Sequence, residues 1–462
     1  MSRPANPAIA VILAAGQGTR MRSSLPKVLH QVAGQPMLQW VVTAARQAGC
    51  ERIIVVVGHG GDQVRQAIDG EDLVFVVQEE QLGTGHALAQ VEGQLDSAAT
   101  LLVLSGDVPL VSAPTLGRLL DVSRSRWAAM AVAELAEPGS LGRVLASADG
   151  DLLKIVEAAD ASPQELDEHR VNAGLYALPA PAVFRYLAAL EPDNARGELY
   201  LTDALTAAVS EGCSIALVEL DDPVESFGVN SRSDLACAHR ALLQRTAAQW
   251  MTAGVTLLDP ERITIEGTVT IGRDSVIHPD VNLGGKAVVG EGCVLHQGVW
   301  LRDTILGDGV EVAPYSVLDG ARVAADSQIG PFARLRLGSV IGEGAKVGNF
   351  VEIKNTELGK GVKANHLAYL GDATVGEHSN IGAGVVTCNY DGHQKHATKI
   401  GKKVFVGSDT MLVAPVEVGD GAMTAAGSVV SKDVPSDSLA VERSSQRNIA
   451  GWAKRFRRRK GK

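Results

Sequence analysis

At 462 residues the chain is too long for one ordinary hydrophobic core, and two domains are expected. A hydrophobic fraction of 45% with 21% charged residues is that of a soluble globular protein, and a formal net charge of −10 argues against a nucleic-acid binder. Five scattered cysteines with no CxxC pair argue against a disulfide framework or a zinc site, and no segment is long enough to span a bilayer, so a cytoplasmic protein without stable membrane insertion is expected.

The apolar start, Ile9 to Ala15, is short and runs straight into Gly16-Gln17-Gly18, so it reads as a buried strand ending at a loop rather than as a signal peptide. Ile53–Val57, Leu73–Val77 and Leu101–Leu104 read as further buried strands, while 36–47 and 84–95 carry helical periodicity. Strands alternating with helices predict a mostly parallel sheet covered on both faces, with ligands beyond the carboxyl ends of the strands. Gly16, Gln78 and Asp107 all lie there. Residues 1–232 therefore read as one domain. Residues 233–253 read as a linker helix, with Leu235, Ala238 and Leu242 on one stripe and Leu243, Ala247 and Trp250 on the next.

From about residue 254 the chain counts in sixes: Ile271, Ile277, Leu283, Val289, Leu295, then Ile329, Leu335, Ile341, Val347, Ile353, then Ile400, Val406, Leu412, Val418. Gly often follows the aliphatic residue. This period fits a coil with three short flat sides, each placing one aliphatic in a central stack. Residues 254–462 thus read as a hexapeptide-repeat domain with a C-terminal tail, 254–435 giving about ten coils. Departures from period near 313–326 and 386–399 are expected to project as loops. The end is basic: Lys454, Arg455, Arg457, Arg458, Arg459, Lys460 and Lys462 fall within nine residues, read as a solvated tail.

Chemistry enters with the loop after the first strand. Glycines at 16 and 18 let backbone N–H groups approach an anion, and Arg20 and Lys27 supply charge. Met21 stands where a dinucleotide fingerprint needs its third glycine, which counts against an NAD-binding dehydrogenase, and the terminal Gly-Lys-Ser/Thr of a Walker loop is missing. The full string Leu13-Ala14-Ala15-Gly16-Gln17-Gly18-Thr19-Arg20-Met21, with Pro26-Lys27, resembles the signature of sugar-nucleotide pyrophosphorylases. Gln78 with Gln81-Leu82-Gly83-Thr84-Gly85-His86-Ala87 resembles their uridine-reading stretch, and Gly106-Asp107-Val108-Pro109-Leu110 their metal-binding turn. Together with the repeats, the resemblance runs essentially end to end. It points to the bacterial bifunctional family that joins an N-acetylglucosamine-1-phosphate uridyltransferase to a glucosamine-1-phosphate N-acetyltransferase.

That resemblance implies a Rossmann-like α/β nucleotidyltransferase domain followed by a left-handed parallel β-helix, assembled as a homotrimer. It implies acetylation of glucosamine 1-phosphate by acetyl-CoA, then Mg²⁺-dependent uridylyl transfer from UTP, giving the sugar nucleotide used for peptidoglycan and lipopolysaccharide. In the first site it assigns Leu13, Ala14, Gly16, Lys27, Gln78, Gly83 and Thr84 to the nucleotide, with Arg20 and Lys27 catalytic. Asp107 and Asn230 would hold Mg²⁺, and Gly142, Glu157 and Asn172 the sugar, with Tyr200, Thr202 and Asp203 nearby. In the second it makes His366 the catalytic base, and Arg336, Lys354, Tyr369, Asn380 and Lys395 the glucosamine 1-phosphate site. Ala383, Asn389, Tyr390, Ser408, Ala426 and Arg443 would line the acetyl-CoA channel. Gln17 and Leu141 depart from the family pattern, which often has a base and an aromatic there.

Histidine suits a base near neutral pH, and amide acyl transfer also needs donors for an oxyanion and cations for phosphate. The competing reading makes the repeats a purely structural oligomerisation or regulatory module. The cluster around His366 and Asn389-Tyr390 counts against it, since a scaffold needs no such residues.

Overall fold

The computed structural model describes residues 7–68, 70–95, 98–193 and 197–459, and its contacts divide the chain into two compact units, 1–243 and 244–462. Lys460 and Lys462 of the basic tail lie outside the described residues.

In the first unit a seven-strand path runs Ile215–Glu219, Ala128–Glu134, Arg170–Ala180, Ala99–Ser105, Ala8–Ala14, Arg52–Val57, Leu73–Val77. Neighbours pair in parallel except Arg170–Ala180, which is antiparallel to both strands beside it. The near-continuous apolar runs follow from burial on both faces. Ile53, Val55 and Val57 pack with Leu38, Val41, Val42 and Leu116, whereas Ile54 and Val56 pack on the other side with Ala87, Leu88, Leu201 and Leu205. Fully burying one such side chain is worth about 1.5–3 kcal/mol. The four sequence-expected strands form. The helix expected over 84–95 does not run that far: Thr84–Ala89 is helical and Glu92–Gln94 is a separate 3₁₀ turn. Gly93, costly in a helix interior, lies in that turn.

In the second unit three parallel sheets of 11, 10 and 9 short strands wind as a β-helix, the parallel-strand architecture expected of hexapeptide repeats. Most strands bury one aliphatic directly above its counterpart, as in Leu283↔Leu301, Leu301↔Leu318 and Leu335↔Ile353, and these residues share one core; Thr387 and Thr424 take that place in two strands. The glycine after the aliphatic has a steric cause: a Cβ at Gly272 or Gly342 would lie 2.6 Å from backbone of the next coil. Buried hydroxyls close the corners, Ser275, Ser327 and Ser379 each donating to a glycine carbonyl at 2.9, 2.9 and 2.7 Å.

Two expected loops have different outcomes. Residues 313–326 do not project: Val317–Asp319 and Arg322–Val323 continue the sheets. There the coil is one residue shorter, with Leu301 above Leu318, and the turn absorbs the missing residue. Residues 389–397 do leave the stack, since Thr387 pairs with Leu412, 25 positions on, where most coils advance 17 or 18.

Candidate active sites

Beyond the carboxyl ends of the first-unit strands lies a cleft of about 320 Å³, within the range of small-ligand sites. It is lined by Leu13, Ala14, Gly16, Lys27, Gln78, Gly83, Thr84 and Asp107 from the expected set. Strand ends place them: Leu13 and Ala14 close the first strand, Gln78 follows the third, and Asp107 the fourth. Gln78 is buried, its amide held by the Gly83 carbonyl at 3.2 Å and by His86 Nδ1 at 3.0 Å. Gly83 has φ +113°, and a Cβ there would lie 2.6 Å from the Leu199 carbonyl oxygen.

At the cleft floor the Lys27 ammonium donates to Asp107 Oδ2 and, at 3.0 Å, to Asn230 Oδ1. Ser105 Oγ donates to the other Asp107 oxygen at 2.6 Å. The family implies a divalent cation, and this donor set fits one: a cation already bridges the carboxylate and amide oxygens. One carboxylate and one amide suit Mg²⁺, which keeps waters and leans on substrate phosphates. Among the described residues no group of three or more His, Cys, Asp or Glu could hold a metal by itself.

Arg20 is not among the cleft-lining residues; it is exposed in the turn Thr19–Met21. Burial opposes ionisation of Asp234, but hydrogen bonds from Asn230 and Ser231, with a smaller contribution from the Arg20 charge, hold its carboxyl below the usual range. Gly142, Glu157 and Asn172 form a second group. Asn172 N donates to the Gly142 carbonyl at 2.9 Å, a Cβ at Gly142 would lie 3.3 Å from Glu157 Oε1, and Thr202 Oγ1 donates to that same oxygen at 3.3 Å. Asn172 also exchanges hydrogen bonds with Tyr176, whose hydroxyl burial keeps protonated.

In the β-helix, His366 ends the strand Lys363–His366 and is exposed. Its Nδ1 lies 3.1 Å from Asn349 Oδ1, directly across in the previous coil. The same corner recurs coil by coil. Gly384 N donates to the Leu367 carbonyl, Asp409 N to that of Ala383, and Gly427 N to that of Ser408, while Arg443 Nη1 donates to the Ala426 carbonyl at 2.8 Å. His366, Ala383, Ser408 and Ala426 thus form one column, and the Arg443 side chain reaches back to its last member.

A polar cluster occupies the far end of the flat side that follows His366. Lys354 Nζ is 3.8 Å from Asp372 Oδ2, and Asn389 and Asn355 both donate to Asp372. Burial opposes ionisation of Asp372, but those hydrogen bonds and the Lys354 charge hold its carboxyl below the usual range. The Lys354 ammonium in turn pushes the Lys395 pKa down. Tyr369 joins this cluster, since a Cβ at Gly371 would lie 2.4 Å from its hydroxyl and 2.7 Å from Asn389 Nδ2. Lys395 bridges to Tyr390 in the projecting loop. Arg336 is tied to Glu352 at 3.0 Å. Asn380 is not brought to the cluster: it lies on the preceding flat side, between Lys363 and Phe405.

Comparison with known proteins agrees with both halves. Residues 10–252 match the MobA-like NTP transferase domain and residues 265–356 the GMPPB C-terminal domain. The chain is 47% identical over 447 residues to the bifunctional protein GlmU of Trichlorobacter lovleyi, covering 96% of this chain and 97% of that protein. The GlmU proteins of Stutzerimonas stutzeri and Azotobacter vinelandii are each 48% identical, over 96% and 97% of the chain and 98% and 99% of their own lengths. The chain belongs to the GlmU family.

Within this GlmU-family chain, two polar residues lining the cleft escaped the sequence-derived reading: Ser105 and Glu198. Ser105 had a local signal, two positions before Asp107 at a strand end. Glu198 had none; it arrives because Leu199 N donates to the Leu82 carbonyl at 2.7 Å. The departure at Gln17 has a structural counterpart, as its amide donates to Gln81 Oε1 at 3.3 Å. Leu141 is partly exposed, and its carbonyl accepts from Arg143.

Proposed function

We propose that this GlmU-family chain makes UDP-N-acetylglucosamine in two steps, acetylating glucosamine 1-phosphate from acetyl-CoA in the β-helix and then uridylylating the product with UTP in the N-terminal unit. The observation that carries this reading is the coexistence in one chain of the Lys27–Asp107–Asn230 cluster and the His366 column.

In the N-terminal cleft, Gln78, Gly83 and Thr84 hold the uracil edge and the loop at Leu13–Gly16 approaches the phosphates. An oxygen of the sugar phosphate attacks the α-phosphorus and pyrophosphate leaves, so alignment and charge neutralisation dominate. Asp107 and Asn230 would hold Mg²⁺, which supplies charge neutralisation at the phosphates. Lys27 adds its own positive charge there. Gly142, Glu157 and Asn172 orient the sugar.

In the β-helix, Asn349 Oδ1 accepting from Nδ1–H leaves the lone pair on His366 Nε2 facing outward. Nε2 takes the proton as the glucosamine nitrogen attacks the thioester carbon and the CoA thiolate departs. Lys354, Lys395 and Arg336 bind the sugar phosphate; Tyr369 and Asn380 complete that pocket. Ala383, Asn389, Tyr390, Ser408, Ala426 and Arg443 line the acetyl-CoA channel.

A homotrimer is part of the same proposal. Tyr315, Phe332 and Phe350 stack in successive coils at 5.5 Å, each about half exposed, and Leu367 beside His366 is 62% exposed. Such a ladder needs a cover, and a neighbouring copy would also bring Asn380 to a site it does not reach within its own chain. Among the described residues no helix is long and apolar enough to cross a membrane; a cytoplasmic location is proposed. The test is to incubate the protein with glucosamine 1-phosphate, acetyl-CoA, UTP and Mg²⁺, omitting one component at a time. UDP-N-acetylglucosamine should form only in the complete mixture, and a mixture that releases no pyrophosphate would rule out the uridylyl step.

A further inference from the structure

The position between Asp107 and Asn230 already holds a charge, that of Lys27. Both Asp107 oxygens are engaged, Oδ2 by Lys27 and Oδ1 by Ser105 at 2.6 Å. The pair is largely sheltered, with side-chain exposures of 12% for Lys27 and 17% for Asp107. Lys27 is also steered. Gly18 has φ +62°, and a Cβ there would lie 2.6, 3.2 and 3.3 Å from Lys27 Cβ, Cγ and Cδ. The glycine-rich loop therefore leaves room for the lysine stem on its way to the cleft floor.

We infer that Lys27 is the resident cation of the nucleotide-free protein, and that it excludes a divalent ion from Asp107 and Asn230 until a nucleotide arrives. A dication entering alone would have to displace an ammonium from a poorly solvated carboxylate, where like charges repel strongly. Triphosphate oxygens change that balance by offering the ammonium another anion. Lysine can answer, being a point charge on a flexible four-carbon stem. Metal and nucleotide then enter together, and Lys27 moves from the carboxylate onto the phosphates. The identity of this metal position rests on the function proposed above; the exclusion itself rests on the Lys27 contacts.

The test uses Mn²⁺ alone as probe, with full-length protein and neither nucleotide nor sugar, following bound ion by electron paramagnetic resonance and by the shift in thermal unfolding. Wild type and Lys27→Arg, which both keep the charge, should bind Mn²⁺ weakly. Lys27→Met and Lys27→Gln should each bind it at least tenfold more tightly, and Asp107→Asn added to either should abolish the gain. Two neutral replacements guard against one failing to fold, and a role confined to packing would not sort the variants by charge. Equal Mn²⁺ affinity in wild type and both neutral variants overturns the inference, as does a gain that survives Asp107→Asn. A failed uridylyl-transfer reading would show separately, as absence of pyrophosphate release from the complete mixture by wild type.

Discussion

Gly83→Ala is expected to cripple the nucleotide site while sparing the β-helix. Two penalties combine. Alanine at φ +113° occupies a region that suits glycine, at a cost of about 1–3 kcal/mol. Its Cβ would also lie 2.6 Å from the Leu199 oxygen and 2.9 Å from the Leu199 nitrogen. Neither atom can yield freely, because Leu199 N donates to the Leu82 carbonyl at 2.7 Å and its oxygen accepts from Gly85 N at 2.8 Å. Losing one or both of these bonds adds about 0.5–1.5 kcal/mol each. The sum, about 1.5–6 kcal/mol, is large enough to pull the loop carrying Gln78's partner away from the uracil edge, yet it stays below the upper end of typical domain stability, about 15 kcal/mol. KM for UTP should rise at least tenfold in a pyrophosphate-release assay, while acetyl transfer in the same preparation stays within twofold of wild type. A variant with unchanged KM for UTP would refute the steric argument, because no flexible side chain is available at Leu199's backbone to absorb the contact.

Other substitutions separate the two chemistries and test the scaffold. His366→Ala should lower acetyl transfer about 10²–10⁴-fold, the usual worth of a general base, with uridylyl transfer near normal; Asp107→Asn should do the reverse. Loss of both activities by either variant, in protein that remains folded, would contradict two separate sites. Leu335→Ala, in a fully buried position stacked between Leu318 and Ile353, should destabilise the β-helix by about 2–5 kcal/mol, read as a shift in denaturant midpoint. His30 gives a pH dependence. Burial, then the Arg232 charge, lowers its pKa below 6.5 in the folded state, and its Nε2 is buried with no hydrogen-bond partner among the described residues. The unfolded chain therefore binds the proton more readily, so this contribution is present above about pH 6.5 and is lost as pH falls below it. Unfolding measured between pH 7.5 and 5.5 should show a loss that His30→Asn reduces.

The aliphatic ladder was readable because each flat side contributes one inward side chain, so period and packing are the same fact. Its exceptions were not. Around 313–326 the count breaks although the fold does not: Leu301, Leu306, Val312, Leu318 and Val323 are all buried in register. A turn can shed one residue without moving the strand above it, so a break in period marks either a shortened corner or an insertion. Only the longer gap before Thr398 is the latter. In the first unit, a motif reader finds residues near strand ends but not those delivered by distant backbone pairing, which is why Ser105 had a signal and Glu198 had none.

The acetyl-CoA residues illustrate how much chemistry the coil length carries. His366, Ala383, Ser408 and Ala426 are separated by 17, 25 and 18 positions, which are the advances of successive coils, the long one containing the projecting loop. Residues that look scattered in sequence are therefore one corner visited four times, which Arg443 reaches through its side chain. An insertion of one residue within any strand between them would reverse which side chains face inward and break the column. An insertion within 389–397 should leave it intact, because those residues lie outside the sheets. Lengthening that loop by two glycines should accordingly preserve the fold and the His366–Asn349 contact, while weakening glucosamine 1-phosphate binding through Lys395. A KM for glucosamine 1-phosphate unchanged by such an insertion would show that the projecting loop takes no part in binding the sugar phosphate.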